Sequence, residues 1–536
     1  MGEDSIELRD FDDCPIHSTI VLGQETTIAG RLRPDPSGRT TEFTPASGFE
    51  GPYFALPDGA NLYVRQATFL RAPVVSTITA GWLDFEYVTI DGGGSYNLHT
   101  VSAIDVSDAQ SLLIDRCVIK NWRGESAVTA RSVQEVTVKK SSFISNLAVG
   151  GGALHLINSS LEVRDSRFER NSAFFGGGAI FIDSAEYATL YRNTFLENSV
   201  TYQLYGGGAI FAYAVERINS EVNKFVRNDS DGMGGAMLLT RVPEHLLINL
   251  DSYIDNHSTN CGGALALLEA AEVEIVSRSA GGFSGNSASC GGALYLEESV
   301  VEVSGRSVAE TGLGEMIFWH NTADSKGGAI NAVDSYLRVS SGGFGGNIAS
   351  DGDGGAISLL RGAAYLPGNS FEYNQAEGKG GAIFAADVSS LEIDHSRFLN
   401  NSLVVPVWQS QGAALYVQSP DTMNTELRLY HNNFLQSHSG ANQVLLRGAE
   451  LFGEFVDNIV FRQGNGQVEP GLICDGAQPN LEVDFINHHR SMVEGCGPLL
   501  NSSNENPLLL EQGPLTYHAV YADSPVLGAG SDGRNI

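Results

Sequence analysis

The sequence predicts an all-β fold, a single right-handed parallel β-helix (a pectin-lyase-like solenoid) with three short strands per rung, a rung being one circuit of the chain around the helix axis. An aromatic residue, two variable residues and an Asn recur ten times between residues 143 and 401, every 25 to 30 residues with one step of 35. A Gly-Gly-Ala, once a Gly-Ala-Ala, follows each pair, with an aliphatic residue behind it. Helices are disfavoured because no apolar pattern of period 3.6 persists through these units.

A short strand is predicted directly after every Gly-Gly-Ala. The first aliphatic residue and the residue two positions on are apolar in all ten copies, as in Leu154 and Leu156. A spacing of two is the strand period, so we expect both to point inward and the residue between them to point outward. A second strand, such as LEVRD at 161–165, and then the strand with the aromatic residue complete the rung. Because so small a unit cannot bury its own apolar residues, the copies must stack in register.

The aromatic and Asn residues are expected to form two ladders inside the helix. We expect each Asn to take the left-handed backbone region at a tight corner and to bond through its amide to the Asn of the next rung. The Gly pair permits a second sharp bend without Cβ clashes. The predicted pairs are Phe143 and Asn146, Phe168 and Asn171, Phe195 and Asn198, Phe225 and Asn228, Tyr253 and Asn256, Phe283 and Asn286, Phe318 and Asn321, Phe344 and Asn347, Phe371 and Asn374, and Phe398 and Asn401.

The chain divides by regularity into four predicted stretches. Residues 1–75 are expected to form an N-terminal cap with the first strands, and residues 76–140 irregular early rungs. Residues 141–440 hold the regular rungs, and residues 441–536 degenerate rungs with a C-terminal cap. Caps are needed because an open rung exposes the edge of its sheets.

Four of the six cysteines are spaced for two disulfides. Cys261 and Cys290 each precede a Gly-Gly-Ala, so stacking brings them to equivalent positions on adjacent rungs, about 5 Å apart and within reach of a bridge. The alternative is two small residues in one column. Cys474 and Cys496 are candidates to close a loop of 22 residues. No Cys/His cluster has the spacing of a zinc site, so we expect no metal bound through cysteine.

The chain of 536 residues is strongly acidic, with 63 Asp and Glu against 32 Lys and Arg and a formal charge of −31. This charge disfavours nucleic acid and anionic membranes as partners. No stretch reaches 18 apolar residues, so no transmembrane helix is expected. The opening MGEDSIELRD lacks the features of a signal peptide.

The paired aromatic-x-x-Asn and Gly-Gly-Ala motifs resemble the repeats of the chlamydial polymorphic outer membrane proteins, autotransported surface adhesins with a β-helical passenger. The resemblance covers roughly residues 140–420. It implies an exported solenoid, extracellular or at the cell surface, and part of a larger exported protein. YVTIDGGG at 87–94 is similar to an early rung of pectin-lyase-like folds, and DSPVLGAGSDGRNI at 523–536 to the final segment of secreted β-helix proteins.

The sequence does not identify catalytic residues. The Asn-x-Asp, Asp-Asp, Gly-His-Gly and Arg-x-Lys set of a polygalacturonase-type hydrolase is not assembled in successive rungs. Asp12 and Asp13 fall in the predicted cap. His488, His489 and Arg490 suit proton transfer but are interpreted as a solvated loop, because no carboxylate accompanies them at an interpretable position.

Two acidic segments are candidates for calcium. Asp229 with Asp231, and Asp351 with Asp353, carry oxygen ligands, but a full site needs six to eight of them. We therefore interpret both as ordinary acidic turns and expect no metal and no cofactor, with calcium as the alternative.

The residues between the two inward aliphatics form an outward column that is rich in aromatic rings. Exposed apolar patches often mark contact surfaces. The alternative is that connecting loops or a neighbouring domain cover this face. The predicted binding strip is His155, Phe181, Phe211, Tyr295, Phe384 and Tyr416, and the column also holds Leu238, Ala266, Asn331 and Ser358.

Two functions follow from these features. The favoured one is an extracellular, non-catalytic β-solenoid, a surface adhesin or structural scaffold that contacts a glycan or cell-surface protein through a lateral face. The alternative is a carbohydrate-active enzyme, a polysaccharide lyase or glycoside hydrolase, with a groove built from the long connections at 299–317 and 403–411. A lateral cleft with two nearby carboxylates would favour hydrolysis.

Overall fold

The computed structural model describes residues 51–277, apart from 78–79 and 94–99. It also describes residues 282–496, apart from 306–315, 405–410, 420–423, 437–441, 449–450, 463–468, 476–479 and 485–490. Outside these ranges it describes 4–7, 14–16, 18, 20–21, 25–29, 41–46, 502, 509–511 and 518–520. The chain divides into two compact units, Met1–Asn260 with Glu269–Glu272 and Cys261–Leu268 with Val273–Ile536.

The predicted fold class, an all-β right-handed parallel β-helix, is confirmed. Most described rungs carry the three predicted strands, and a short fourth strand follows the ladder Asn in the regular rungs. The described residues include no helix long and apolar enough to cross a membrane. A short antiparallel pair, Leu509–Glu511 with His518–Val520, lies near the C-terminus.

In the first unit, two rungs fuse their first and second strands into one, Ile180–Tyr191 and Ile210–Glu221. The other first strands are Ile20–Val21, Phe54–Ala55, Val75–Thr77, Ile104–Ser107, Val128–Arg131, Leu154–Ile157 and Met237–Val242. The other second strands are Asp4–Glu7, Glu25–Ala29, Ala60–Arg65, Ala80–Glu86, Ala109–Asp115, Glu135–Lys139, Ser160–Arg164 and His245–Asn249. The third strands are Cys14–Ile16, Thr41–Pro45, Ala67–Leu70, Thr89–Asp91, Val118–Lys120, Ser142–Ile144, Arg167–Glu169, Thr194–Leu196, Lys224–Val226 and Ser252–Ile254. The fourth strands are Arg123–Gly124, Leu147–Ala148, Ser172–Ala173, Ser199–Val200, Asp229–Ser230 and His257–Ser258.

The second unit repeats this order. Its first strands are Leu265–Ala270, Leu294–Glu297, Ile330–Val333, Ile357–Leu360, Ile383–Ala386, Leu415–Gln418, Val444–Arg447, Glu469–Asp475 and Ser491–Glu494. The second strands are Val273–Val276, Val300–Ser304, Tyr336–Ser340, Ala363–Pro367, Ser390–Asp394, Thr425–Tyr430, Leu451–Val456 and Asn480–Asp484. The third strands are Gly282–Ser284, Met316–Trp319, Gly343–Gly345, Ser370–Glu372, Arg397–Leu399, Asn433–Gln436 and Ile459–Arg462. The fourth strands are Ser287–Cys290, Thr322–Lys326, Ile348–Ala349, Gln375–Ala376 and Ser402–Leu403.

The core of each unit is a set of columns of like side chains. Leu154 pairs with Ile180 in the parallel register, and both are buried. On the third strands, neighbouring aromatic rings stack nearly parallel with centroids about one rung apart, as 4.9 Å for Phe168 and Phe195 and 4.8 Å for Phe318 and Phe344. In the first unit the rings that stack in this way are Phe143, Phe168, Phe195, Phe225 and Tyr253. In the second unit they are Phe283, Phe318, Phe344, Phe371, Phe398 and Phe434.

The ladder Asn residues are buried and hydrogen-bonded, but the left-handed corner lies one residue earlier than expected. Arg170 and Glu197, which precede Asn171 and Asn198, have φ of 52° and 55°, whereas no ladder Asn among the described residues has a positive φ. The reason is geometric. The residue that turns the chain sends its side chain to solvent, so the Asn after it can point inward.

The Gly pair is required by two separate constraints. Gly177 has φ of 61°, which L side chains rarely adopt. A Cβ at Gly178 would lie 2.1 Å from the backbone oxygen of Gly208 on the next rung. The first Gly therefore supplies the bend and the second allows the close approach of successive rungs.

Two disulfides join neighbouring segments of the second unit. Cys261 bonds to Cys290 with a Cα–Cα distance of 4.6 Å, and Cys474 bonds to Cys496 with 4.9 Å. Cys117, in the first unit, is a free and buried thiol. Burial raises its pKa to about 12, so it is unreactive at neutral pH.

Candidate functional site

The first unit carries an open groove on its lateral face, with a volume of about 500 Å³. Pockets of this size are typical of small-ligand sites, which occupy roughly 300 to 1,000 Å³. Five aromatic residues, one glycine and one acidic residue line it. The lining residues are Phe175, Gly176, Phe181, Asp183, Tyr205, Phe211 and Tyr213.

The floor of the groove comes from the two fused strands, Ile180–Tyr191 and Ile210–Glu221. Phe181 and Phe211 are partners in the parallel register and stack with centroids 5.0 Å apart and an interplanar angle of 6°. Their side chains face outward because each lies between two buried aliphatic positions of its strand. His155, on the rung before, extends the stack to 4.8 Å from Phe181.

His155 ends this stack as a neutral group. Its burial lowers the pKa of the imidazole, and the positive charge of Arg131 lowers it further, while Asp183 opposes them. A neutral imidazole presents one donor and one acceptor nitrogen. The aromatic floor is therefore uncharged at neutral pH.

The wall of the groove comes from the loops that connect fourth strands to the next Gly-Gly-Ala. Phe175 and Tyr205 lie 6.4 Å apart, and the Tyr205 ring lies 5.8 Å from that of Phe211. The Tyr202 ring packs against the rings of Phe174 and Phe175, with centroid distances of 5.2 and 5.3 Å, and so supports the wall. Phe175 is 40% exposed and Tyr205 47% exposed, so the wall offers ring surface to solvent.

The polar edge of the groove lies two residues beyond the floor rings. Asp183 and Tyr213 are partners in register, and the hydroxyl of Ser184 donates to Asp183 at 3.3 Å. The guanidinium of Arg241 donates to the Tyr213 hydroxyl oxygen at 2.5 Å and is itself paired with Glu269 at 3.2 Å. This network fixes the phenol at the end of the groove.

The chemistry of the groove is that of recognition by stacking and hydrogen bonding. Flat rings offer apolar faces, and Asp183 and the Tyr213 hydroxyl offer polar contacts that orient a ligand. Glycoside hydrolysis by the usual route needs two carboxyl groups about 5 to 10 Å apart. Among the described residues that line the groove, Asp183 is the one carboxylate.

The predicted exposed strip is not continuous, which corrects the sequence-based expectation. His155 and Phe181 are partly exposed, but Phe211 is 5% exposed and Tyr416 fully buried. Loops pass over this face: the amine of Lys379 lies 4.8 Å from the centroid of the Tyr416 ring. The other column members that are buried are Leu238, Ala266, Tyr295, Asn331, Ser358 and Phe384.

The groove wall was missed by the sequence analysis. Its residues lie in the loops between Asn and Gly-Gly, where the repeat varies most. A signal was present: Phe174 and Phe175 are adjacent, and the connection from Asn198 to Gly207 spans nine positions against six from Asn171 to Gly177. Aromatic residues in a lengthened surface loop have no core to fill and so indicate a contact surface.

Neither acidic segment contributes a residue to the lining of the groove. Burial raises the pKa of Asp229, which lies on a fourth strand of the first unit. In the second unit a carboxylate oxygen of Asp353 accepts a hydrogen bond of 2.8 Å from the backbone N–H of Lys379. Asp353 thus holds the next rung's loop in place. Calcium binding at these turns stays a prediction.

Several sequence candidates lie outside the described residues. They are Asp12, Asp13, His488, His489 and Arg490, together with most of the two long connections predicted to build an enzyme groove.

Comparison with known proteins agrees with this architecture. Residues 74–240, which contain every lining residue of the groove, match the family described as the right handed beta helix region. The fold of the chain is that of a right-handed parallel β-helix. Residues 370–386, with Phe371, Asn374 and the Gly-Gly-Ala after them, match the Chlamydia polymorphic membrane protein repeat. No curated protein matches the chain at a significant level.

Proposed function

We propose that this protein is a cell-surface or secreted solenoid that binds a glycan non-catalytically in the aromatic groove of its first unit. The observation that carries the proposal is the exposed ring surface of Phe175 and Tyr205 beside the stacked rings of Phe181 and Phe211. Sugar rings present flat C–H faces, which pack on aromatic rings, and hydroxyls, which bond to groups such as Asp183. The match to the Chlamydia polymorphic membrane protein repeat supports the location at the cell surface or outside the cell.

The charges favour an uncharged glycan over an acidic one. The formal charge of the chain is −31, and the charged side chain that lines the groove is the acid Asp183. A polyuronate chain would be repelled unless a cation intervened. We therefore expect neutral hexose-containing glycans among the ligands.

The test is a glycan array with the intact chain, followed by affinity measurements on the best ligand. Phe175→Ala and Tyr205→Ala should each weaken binding about fivefold or more, because a lost stacking contact is worth about 1 kcal/mol and 1.4 kcal/mol corresponds to tenfold. Tyr373→Ala, at an exposed ring of the second unit, is the matched control and should bind like the wild type.

The same samples separate binding from catalysis. New reducing ends or unsaturated sugar ends, lost in Asp183→Asn, would replace this proposal with the carbohydrate-active alternative. Absence of any glycan ligand, or binding that Tyr205→Ala leaves unchanged, would overturn the groove as the glycan site. Capture of a protein that Tyr205→Ala abolishes would turn the ligand class to protein.

A further inference from the structure

Two histidines and two aspartates lie together at one corner of the second unit. His395 and His431 occupy equivalent corners on adjacent rungs, with φ of 49° and 52°, and Asp457 occupies the next one with φ of 56°. The backbone N–H of His395 donates to the carbonyl of Tyr430, which fixes the register of the two corners. The imidazole rings consequently stack with centroids 4.5 Å apart.

One carboxylate oxygen faces both imidazoles. Oδ1 of Asp394 lies 2.6 Å from Nδ1 of His395 and 3.2 Å from Nδ1 of His431. One ligand atom from each of these three residues falls within 4.8 Å of the others. Ligands of a tetrahedral zinc with bonds of about 2.0 to 2.1 Å lie about 3.3 Å from one another. The Asp394–His431 spacing fits this. The 2.6 Å between Asp394 and His395 would have to open by about 0.7 Å, for which the 62% exposed His395 side chain has room to rotate.

The orientation of His431 is the second observation that points to a metal. Its other ring nitrogen, Nε2, lies 3.5 Å from Oδ2 of Asp457, whose side chain is only 2% exposed. Histidines that bind metals usually donate their second N–H to a carboxylate, which fixes the tautomer and strengthens the ligand. When Nε2 donates to this carboxylate, the lone pair of Nδ1 is directed toward Asp394, and a cation between the two acceptor atoms would bind to both.

We propose that Asp394, His395 and His431 form a binding site for a divalent transition-metal ion of the zinc class, with Asp457 as the positioning residue behind His431. Imidazole nitrogen with one carboxylate oxygen is a ligand set that suits Zn²⁺, and water completes the coordination. The ion would tie two successive rungs of the second unit together. The cluster could not be predicted from the sequence, because His395 and His431 are 36 residues apart and are brought together by the register of the rungs.

The test is titration of the chelator-treated full chain with Zn²⁺, by calorimetry and by thermal unfolding. We expect one saturable equivalent and a melting temperature that rises with Zn²⁺ concentration. Co²⁺ should give the visible absorption of a four- or five-coordinate site. His431→Asn and His395→Asn should abolish the binding. Asn is a suitable replacement at these corners because it tolerates a positive φ.

Two further variants make the result specific. Asp457→Asn should weaken Zn²⁺ binding by about 10- to 100-fold without abolishing it, as expected of a group that acts through a ligand. His320→Asn, at an exposed left-handed corner elsewhere in the second unit, is the matched control and should bind normally. Failure of the wild type to bind one equivalent, or equal binding by His431→Asn and the wild type, would overturn the site.

Discussion

The side-chain amide of Asn198 donates a hydrogen bond of 3.0 Å to Oδ1 of Asn228, and the backbone N–H of Asn198 donates to the same oxygen at 3.0 Å. The second amide hydrogen of Asn198 bonds to the carbonyl of Phe168 on the rung before it. A carboxamide has both a donor and an acceptor, so identical Asn residues can bond to each other from rung to rung without limit. Asp lacks the donor, and Ser lacks the reach to bond in both directions.

Asn198→Ala is expected to be strongly destabilising. It would leave the amide of Asn171 and the carbonyl of Phe168 without their partner in a buried site, and each such loss costs about 1 to 3 kcal/mol. We expect a fall of about 2 to 6 kcal/mol in the free energy of unfolding, measured by denaturant titration. Asn219→Ala, at an exposed strand position, is the control and should change it by less than about 0.5 kcal/mol. A similar small effect of Asn198→Ala would mean that the ladder is not a source of stability.

The ladders could be predicted from the sequence, whereas the groove and the histidine cluster could not, and the difference is physical. Phe195 and Asn198 each contact an identical residue on the next rung. Packing therefore favours the same residue at the same position of successive rungs, and this repetition is visible in the sequence. Tyr205 lies in a loop whose length and sequence vary from rung to rung, so its role depends on how the loop folds over Phe211. The burial of Tyr416 likewise depends on a loop that carries Lys379 across the ring.

Phe195→Ala tests the aromatic stack. The ring is fully buried between Phe168 and Phe225, at 4.9 and 4.8 Å, so its removal leaves a cavity that the rigid rungs cannot fill. We expect a loss of about 3 to 5 kcal/mol in the free energy of unfolding. Phe195→Leu, which keeps most of the volume, should cost clearly less. Equal costs for the two variants would show that cavity formation is not the cause.

The Cys261–Cys290 disulfide is expected to stabilise the second unit by constraining its unfolded state. The bridge closes a loop of 29 residues, for which the chain-entropy estimate is about 3 to 4 kcal/mol. A Cys261→Ser, Cys290→Ser double variant should unfold at lower denaturant concentration than the oxidised wild type. Reductant should shift the wild type further than this variant, in which Cys474–Cys496 is the one bridge among the described residues that is left to reduce. Equal shifts would indicate that the first bridge contributes little.

Asp251 interrupts a second buried column of the first unit, in which Asn193 bonds to Asn223 and Asn223 to Asp251. Burial raises the pKa of its carboxyl from 3.8 to about 7, although hydrogen bonds from Ser220 and Asn223 oppose the shift. At pH values between 3.8 and about 7, the carboxyl group of Asp251 is ionised in the unfolded chain and protonated in the folded chain. The contribution of Asp251 to stability is therefore complete below pH 3.8 and is lost as the pH rises towards 7.

Asp251→Asn should remove this pH dependence and stabilise the protein at pH 8. The Asn oxygen can still accept the bond from the backbone N–H of Asn223, and its amide can donate to Ser220, without a charge to bury. We expect a gain of about 1 to 3 kcal/mol over the wild type at pH 8 that disappears near pH 4, since one pKa unit corresponds to about 1.4 kcal/mol. Unfolding titrations across this pH range give the measurement, and Asp255→Asn, the same change at an exposed corner, is the control. Parallel pH profiles for the wild type and Asp251→Asn would mean that Asp251 is ionised in the folded protein across this range.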